Sequence, residues 1–184
     1  MLIYKHIINV KPSITSLVLG TPQSYINECI KEIYNLGDSM DNATNVQAMM
    51  TTYMIFQESK VFDQLFVNII DIATQTRDED FVGKNCHLVL KDAWGAVYKK
   101  GHYTKPHSHF PNAYISFVYY LQPAENTPLI FSDDGHEVHP EKDQLVMFPG
   151  YIRHEVPVHE GTEDRIVIAG NLIVAADESK NINN

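Results

Sequence analysis

WGAVYKKGHYTKPHSHFPNAYISFVYYL, residues 94–121, sets the character of the second half of the chain. In this stretch, and in HPEKDQLVMFPGYIRHEVP (139–157) and DRIVIAGNL (164–172), apolar residues alternate with polar ones or form short blocks between Gly, Pro and Asp. That pattern is typical of β-strands joined by tight turns. It predicts eight strands: Cys86–Lys91, Trp94–Lys99, His102–His109, Tyr114–Leu121, Leu129–Phe131, Gln144–Phe148, His154–Val158 and Arg165–Val174. So many short strands within about ninety residues predict a sandwich or a small jelly-roll barrel, which can hold one small ligand at its mouth.

Apolar residues follow helical spacing in the first part of the chain, before about residue 80. Thr21-Pro22 has the residue types of a helix start, and Gly37 predicts where that helix ends. A second helix with a wide apolar face is predicted over Glu58–Thr76, and the segment Val46–Phe56 between the two favours a strand. The sequence therefore predicts an α+β fold, in which N-terminal helices cover the outer face of one sheet of a β-barrel.

Length, charge and cysteine content limit the class of protein. The 184 residues fit a single domain, with helical support over about 1–84, a β core over about 85–175 and a flexible tail over 177–184. A net charge of −9, without a long basic run, argues against a nucleic-acid partner. The chain has neither an apolar run long enough to span a membrane nor a signal-peptide pattern at its start. The chain has two cysteines, Cys29 and Cys86, which are expected to be reduced thiols, with Cys86 buried and inert. This cysteine content predicts a cytoplasmic protein, and its oligomeric state is not determined by the sequence.

Seven of the nine histidines fall between residues 102 and 159. His107 and His109 are two residues apart on a predicted strand, where side chains at i and i+2 share a face and can chelate one ion. His154 begins a later predicted strand, so the three imidazoles form a candidate metal site; the plain alternative is partly exposed strand histidines. The other four lie in predicted turns and loops and are expected to be solvated: His102, His136, His139 and His159.

Arg165 opens a very apolar strand, eleven residues after His154. If its guanidinium points into the barrel, it needs an anion, because an unpaired buried charge costs several kcal/mol. A small dicarboxylate matches the fork of donors that a guanidinium presents. The alternative is a surface ion pair with a nearby acidic residue: Asp164, Glu163 or Asp143.

The three quoted stretches resemble the double-stranded β-helix of the iron(II)- and 2-oxoglutarate-dependent oxygenases, most closely the prolyl-hydroxylase-like branch. Small members of this family, carried by bacteria and large-tailed phages, have a similar H-x-H-P-like phrase followed by S-x-V-Y-Y-L. The resemblance covers Trp94–Leu172, nearly half of the chain. It implies Fe(II) and 2-oxoglutarate as cofactors and O₂ as cosubstrate. The implied reaction couples oxidative decarboxylation of 2-oxoglutarate to hydroxylation of a C–H bond in a protein, a peptide or a small molecule, in the host cytoplasm if the protein is phage-encoded.

The resemblance also implies roles for individual residues. His107 and His154 match the first and the distal iron ligands of the family. Arg165 matches the arginine that pairs with the far carboxylate of 2-oxoglutarate, and Tyr120 matches a tyrosine that adds a hydrogen bond to it. Tyr98 is similar to a tyrosine that lines the site near iron.

His109 departs from the family pattern. The second ligand of the family is usually Asp or Glu, which gives a site of two histidines and one carboxylate. A third neutral imidazole leaves the metal site one positive charge higher, which favours anion binding and alters the redox potential. Asp133 or Asp134 is the alternative source of a carboxylate.

Two other functions fit parts of the sequence. A cupin-like metal protein would use the same three histidines without 2-oxoglutarate, as a dioxygenase, an isomerase or a metal binder. Gly101 followed by His107 and His109 matches the opening of the first cupin motif, but Ala113 and Tyr114 stand where its glutamate is expected. A non-catalytic jelly-roll interaction protein would need neither the metal nor the buried arginine.

Overall fold

Two antiparallel sheets face each other in the computed structural model, which describes residues 14–37, 44–76 and 86–176. The larger sheet has the order β1-β9-β6-β11-β4-β3, and the smaller has the order β2-β5-β10-β7-β8. The strands are β1 Thr15–Val18, β2 Val46–Gln47, β3 Met49–Met50, β4 Cys86–Tyr98, β5 Tyr103–His107, β6 Ile115–Gln122, β7 Leu129–Phe131, β8 His136–Val138, β9 Gln144–Pro149, β10 His154–Val156 and β11 Arg165–Ala176. The predicted tail over 177–184 lies outside the described residues.

Three helices and one short 3₁₀ turn precede the β core. They are α1 Gln23–Leu36, α2 Ile55–Glu58, the turn Lys60–Phe62 and α3 Asp63–Thr76. α1 ends at Gly37 as predicted, where the glycine N–H donates to the Ile33 carbonyl at 2.7 Å, although its N-cap is Pro22 and not Thr21. None of the helices in the described part of the chain is long and apolar enough to cross a membrane.

The alternation of side chains along the larger sheet divides the interior into two cores. On β4, Ala93 and Val97 point to the outer face, whereas Trp94, Ala96 and Tyr98 point between the sheets. The outer core is completed by buried side chains of α1 and α3, namely Ile26, Cys29, Ile33, Leu65, Phe66, Ile69 and Ala73. The prediction that the N-terminal helices cover the outer face of one sheet is therefore confirmed.

Several predicted boundaries are wrong, each for a local reason. The helix predicted over Glu58–Thr76 is interrupted at Ser59, whose extended backbone separates α2 from the 3₁₀ turn. The two strands predicted over residues 86–99 are one strand, β4, which continues through a β-bulge opposite Asn171. The segment predicted as one strand over Val46–Phe56 instead forms two short strands, β2 and β3, and its end belongs to α2, which begins at Ile55. The short strands β1 and β8 were not predicted.

Gly95 generates a stability prediction, because a Cβ at this position would lie 2.6 Å from Cγ1 of the fully buried Ile33. We expect Gly95→Ala to destabilise the fold by about 1–3 kcal/mol, as overpacking of a core does. The same substitution in an Ile33→Ala background should cost less, because the clashing atoms are gone. Urea denaturation of the two single variants and the double variant measures this coupling, and strictly additive losses would contradict the close approach of α1 to β4.

Candidate functional site

Three histidine side chains meet at one end of the space between the sheets. His107 is the last residue of β5 and His154 the first of β10, and the two lie directly opposite each other in the antiparallel pair. His109 lies beyond the end of β5, where its backbone N–H donates to the Gly150 carbonyl at 2.8 Å. Each side chain offers one ring nitrogen as a ligand atom, and these three atoms lie within 4.8 Å of one another.

His109 therefore reaches this cluster by a different route from the predicted one. The strand predicted over His102–His109 ends at His107, so strand alternation does not bring the two residues together. A turn does so instead, since the N–H groups of Asn112 and Ala113 both donate to the His109 carbonyl. The ring centroids of His107 and His109 are 5.0 Å apart, and those of His109 and His154 are 5.3 Å apart.

Backbone carbonyls orient two of the imidazoles. Nδ1 of His107 lies 2.8 Å from the Lys105 carbonyl oxygen, and Nδ1 of His154 lies 3.2 Å from that of Ile152. Because a carbonyl only accepts, Nδ1 carries the proton in both rings and Nε2 keeps a free lone pair. Such second contacts fix the tautomer and the direction of histidines that bind metals.

Burial keeps these imidazoles neutral at pH 7. It lowers the pKa of His109 to about 4, with smaller contributions from the nearby His107 and Lys91. It lowers the pKa of His154 to about 3, aided by His107, and it also lowers the pKa of His107 itself. Neutral imidazole is the form that binds a metal ion, so this cluster needs to release no proton to do so at neutral pH.

Arg165 lies in the same inter-sheet space and is only 1 % exposed. Its Cζ atom is 4.7 Å from the ring centroid of Tyr98 and 5.2 Å from that of Tyr120. These distances are typical of cation–π contacts. Its Nε and Nη1 atoms are buried and have no hydrogen-bond partner among the described residues. The side chain is thus held between two aromatic rings with donors available for an anion.

The surface ion pair considered as an alternative for Arg165 does not form. Asp143 instead accepts hydrogen bonds from the Tyr119 hydroxyl at 2.6 Å and the Thr21 N–H at 2.8 Å. Asp164 accepts from the Tyr34 hydroxyl. No carboxylate forms an ion pair with Arg165 within residues 14–37, 44–76 and 86–176.

The two tyrosines beside Arg165 differ in their hydroxyl groups. The Tyr98 hydroxyl lies 2.7 Å from Oγ1 of Thr104 and is satisfied, as in an ordinary core tyrosine. The Tyr120 hydroxyl is buried without a partner. Burial raises the pKa of Tyr120 to about 12, against the opposing effect of Arg165, so this hydroxyl stays protonated and can donate.

Cross-strand register relates the histidine cluster to Arg165. Phe148 packs against the His154 ring at 4.7 Å, and Trp94 lies 6.3 Å from the His109 ring, measured between centroids. Trp94 and Tyr98 are four residues apart on the same face of β4, which is ~13 Å of strand, and Tyr98 is the register partner of Arg165. The imidazoles and the guanidinium therefore lie towards opposite ends of one interior.

A polar row beside the histidines was missed by sequence reasoning. The Ser116 hydroxyl donates to Asn171 Oδ1 at 2.8 Å, and Asn171 Nδ2 donates to Asp92 Oδ1 at 2.6 Å. The signal was present, since Asn171 is a polar residue inside an otherwise apolar predicted strand. Next to this row, Lys91 Nζ donates to the Asn112 carbonyl at 3.1 Å, which ties the β-bulge of β4 to the turn after His109.

Other residues considered from the sequence lie elsewhere. Asp133 and Asp134 are exposed, and Asp134 Oδ1 accepts from the backbone N–H of His136 at 3.0 Å. Cys86 is partly exposed and not buried as expected. The expectation that His159 is solvated is wrong, because this side chain is completely buried.

Comparison with known proteins identifies the fold. The sequence matches no protein-family model and no curated protein. The structure, however, is similar to a viral collagen prolyl hydroxylase of Paramecium bursaria Chlorella virus-1 in complex with 2-oxoglutarate, with a TM-score of 0.66, 13 % identity and coverage of 86 % of this chain and 94 % of that one. The fold is a double-stranded β-helix.

Two further solved structures share this fold. A Pseudomonas putida prolyl-4-hydroxylase has a TM-score of 0.66 at 19 % identity, with coverage of 88 % of this chain and 92 % of that one. HygX of Streptomyces hygroscopicus, solved with nickel, 2-oxoglutarate and hygromycin B, has a TM-score of 0.66 at 11 % identity, with coverage of 88 % and 82 %. The predicted α+β fold with a double-stranded β-helix core is thereby confirmed.

The lowered pKa values predict how the stability of the metal-free protein depends on pH. The pKa values of these imidazoles are lower in the folded state than the ordinary value of 6.5, so the unfolded chain binds more protons as the pH falls. The free energy of unfolding therefore decreases as the pH falls from 6.5 towards 4. One such histidine contributes up to ~1.4 kcal/mol per pH unit. In urea denaturation with a chelator, His109→Asn should lose less stability than the wild type over this range. Equal losses would contradict the burial of a neutral His109.

Proposed function

We propose that this protein is an iron(II)- and 2-oxoglutarate-dependent oxygenase that hydroxylates a C–H bond. The observation that carries the proposal is the buried Arg165, whose Nε and Nη1 atoms lack partners in the same interior as three convergent imidazoles. A metal site alone fits many functions. A metal site that shares one buried interior with an unpaired guanidinium fits a small dianion that engages both.

The proposed metal ligands are His107, His109 and His154. Their donor set fits iron, because imidazole is a good ligand for Fe(II) and three protein ligands leave coordination positions for a cosubstrate and for O₂. When bound, the iron would supply the redox chemistry that converts 2-oxoglutarate, O₂ and a C–H bond to succinate, CO₂ and an alcohol. The contribution of the chain is to present three neutral, oriented imidazoles.

Arg165 and Tyr120 are the proposed partners of the distal carboxylate of 2-oxoglutarate. The guanidinium offers two unpartnered nitrogen atoms, and the Tyr120 hydroxyl is a third unpartnered buried polar group. Charge-assisted hydrogen bonds of this kind are about twice as strong as neutral ones, and more so where water is excluded. Tyr98 would act by stacking, which keeps the plane of the guanidinium fixed.

The interior walls between the two ends are apolar. Ala96, Val118, Val146 and Val167 all belong to the buried core between the sheets. Such walls exclude water from the reacting groups and limit side reactions. The polar row of Ser116, Asn171 and Asp92 lies in register with Phe148, which packs against His154, so it is the proposed polar surface for the substrate.

His109, in the position of the usual carboxylate, distinguishes this site electrostatically. With three neutral ligands the Fe(II) ion keeps its full double positive charge, which favours a dianionic cosubstrate over a neutral one. A carboxylate from Asp133 or Asp134 is not required by this proposal, since both side chains are exposed and Asp134 already caps a turn.

The substrate is proposed to be a protein or peptide segment or a small molecule. Phe110 and Tyr151, which are 71 % and 56 % exposed, stand on the two loops joined by the hydrogen bond from His109 to Gly150, so an aromatic surface flanks the mouth. The requirement for Fe(II) and the two free cysteines suit a reducing cytoplasm, which is the host's if a phage encodes the protein.

The cupin-like alternative rests on one observation, namely that the three-histidine group includes no carboxylate from the described residues. A metal protein that does not use 2-oxoglutarate offers no reason to bury Arg165 without an anion. The two functions differ in their response to 2-oxoglutarate, which the next experiment measures.

The central test of the proposed function uses Arg165→Met, which keeps the length and bulk of the side chain but removes its charge. Under anaerobic conditions, Fe(II) and 2-oxoglutarate should give a visible charge-transfer band with the wild type, and O₂ should then yield succinate. Arg165→Met should weaken 2-oxoglutarate binding at least tenfold while metal binding persists. Arg153→Met, at an exposed arginine, is the matched control and should behave as the wild type. Metal binding that is indifferent to 2-oxoglutarate would support the cupin-like alternative instead.

A second experiment tests the proposed third ligand. His109→Ala should lower Fe(II) affinity at least tenfold, because one of three protein ligands is lost, and His109→Asp should recover most of it, because a carboxylate is also a good ligand for Fe(II). His136→Ala, at an exposed histidine, serves as the control. Isothermal titration with Fe(II) under nitrogen measures all four proteins. If His109→Ala binds Fe(II) with wild-type affinity, His109 is not a metal ligand.

A further inference from the structure

His159 is a completely buried histidine outside the candidate metal site, and both of its ring nitrogens are engaged. Nε2 lies 2.7 Å from the Glu163 carbonyl oxygen, and Nδ1 lies 2.9 Å from Oγ1 of Thr127. Since the carbonyl only accepts, Nε2 carries the proton and Nδ1 accepts from the threonine hydroxyl. The ring thus links the segment that precedes β11 to the loop that precedes β7.

Gly161 makes this arrangement close-fitting. A Cβ at residue 161 would lie 2.6 Å from Cε1 of His159, nearer than real Cβ atoms approach their neighbours, and 3.2 Å from Nε2, which is a tight contact. The backbone of the 159–164 segment therefore folds directly over the imidazole. The imidazole covered in this way contacts the carbonyl oxygen of Glu163, two residues before Arg165.

The backbone of His159 is bound as well. Its N–H donates to the His102 carbonyl at 2.8 Å, and its carbonyl accepts from the Gly101 N–H at 2.8 Å. Gly101 and His102 belong to the turn that follows Tyr98, the residue whose ring stacks on Arg165. His159 is therefore hydrogen-bonded through its backbone to the turn after Tyr98, and through its side chain to the segment before Arg165.

Arg165 itself has no polar contact through Nε or Nη1 that would hold its guanidinium in place. Its position depends on Tyr98, on Tyr120 and on the backbone at Asp164. That backbone is fixed on its other side, because Gln122 Nε2 donates to the Asp164 carbonyl at 2.7 Å. The His159 contacts complete this support from the opposite side.

We infer that His159 is a positioning residue for the guanidinium site, which sets Arg165 and Tyr98 relative to each other before an anion binds. The inference rests on the proposed function, in which that anion is the distal carboxylate of 2-oxoglutarate. Preorganised donors bind an anion more tightly than donors that must first be ordered. His159 therefore contributes to cosubstrate affinity and not to the metal site.

The test compares His159→Leu, which removes both ring hydrogen bonds, with His159→Gln, which keeps a donor able to reach Glu163. Titration with 2-oxoglutarate under nitrogen, with Mn(II) in the site, should show about tenfold weaker binding for His159→Leu and less than threefold for His159→Gln. Mn(II) affinity should be unchanged in both. In assays of succinate formation with Fe(II) and O₂ at varied 2-oxoglutarate concentration, His159→Leu should raise KM for 2-oxoglutarate and leave kcat unchanged. His139→Leu makes the same change at an exposed histidine and should have no effect.

Each other outcome has a definite meaning. If His159→Leu lowers the melting temperature but binds 2-oxoglutarate within twofold of the wild type, His159 is only structural and the inference is wrong. A parallel loss of Mn(II) and 2-oxoglutarate affinity also overturns it. Should His159→Leu fail to fold, Gly161→Ala displaces the ring by a smaller amount and must weaken 2-oxoglutarate binding in the same direction. A wild type that binds no 2-oxoglutarate refutes the proposed function, on which this inference rests. Where the wild type binds 2-oxoglutarate, unchanged binding by a folded His159→Leu refutes the inference and leaves the proposed function standing.

Discussion

A guanidinium removed from water, with no carboxylate to pair with in the described part of the chain, is the constraint on which the site depends. Arg165 is 1 % exposed, and its Nε and Nη1 atoms have no partner. Two aromatic rings at 4.7 and 5.2 Å offset part of the cost of burying this charge. They cannot replace the hydrogen bonds that water would provide, since an aromatic face accepts them only weakly. In the proposed function, the carboxylate of a bound anion would supply the remaining stabilisation.

The fold places the proposed anion site and the proposed metal site in one interior. β11 lies inside the larger sheet and carries Arg165 at its first residue, while the smaller sheet carries His107 and His154 as register partners. The inner faces of both sheets share one apolar core. A divalent ion held by three uncharged imidazoles would keep its positive charge uncompensated at one end, and the guanidinium provides a positive charge at the other end. With such an ion bound, as proposed, the interior would favour a small dicarboxylate.

Much of this arrangement is readable in the sequence, because it follows from side-chain alternation. The apolar strand after Arg165 fixes which residues share its face, and the helical stripe before Gly37 fixes which sheet face is covered. What the sequence does not reveal depends on contacts between distant residues. His109 joins the other two histidines through a turn, where its N–H donates to the Gly150 carbonyl. The alternation of side chains along a strand does not predict such a turn. His159 is buried because Thr127 and Glu163 satisfy its ring, so its loop position alone suggested the opposite.

A crystal structure of the anaerobic complex with Mn(II) and 2-oxoglutarate tests the account most directly, because it locates both ends of the cosubstrate at once. We expect one metal ion coordinated by His107, His109 and His154, with the far carboxylate of 2-oxoglutarate ~2.8 Å from the guanidinium of Arg165 and within hydrogen-bond distance of the Tyr120 hydroxyl. A metal ion bound by these histidines with 2-oxoglutarate absent from the interior, or with Arg165 turned to a protein carboxylate, would contradict it.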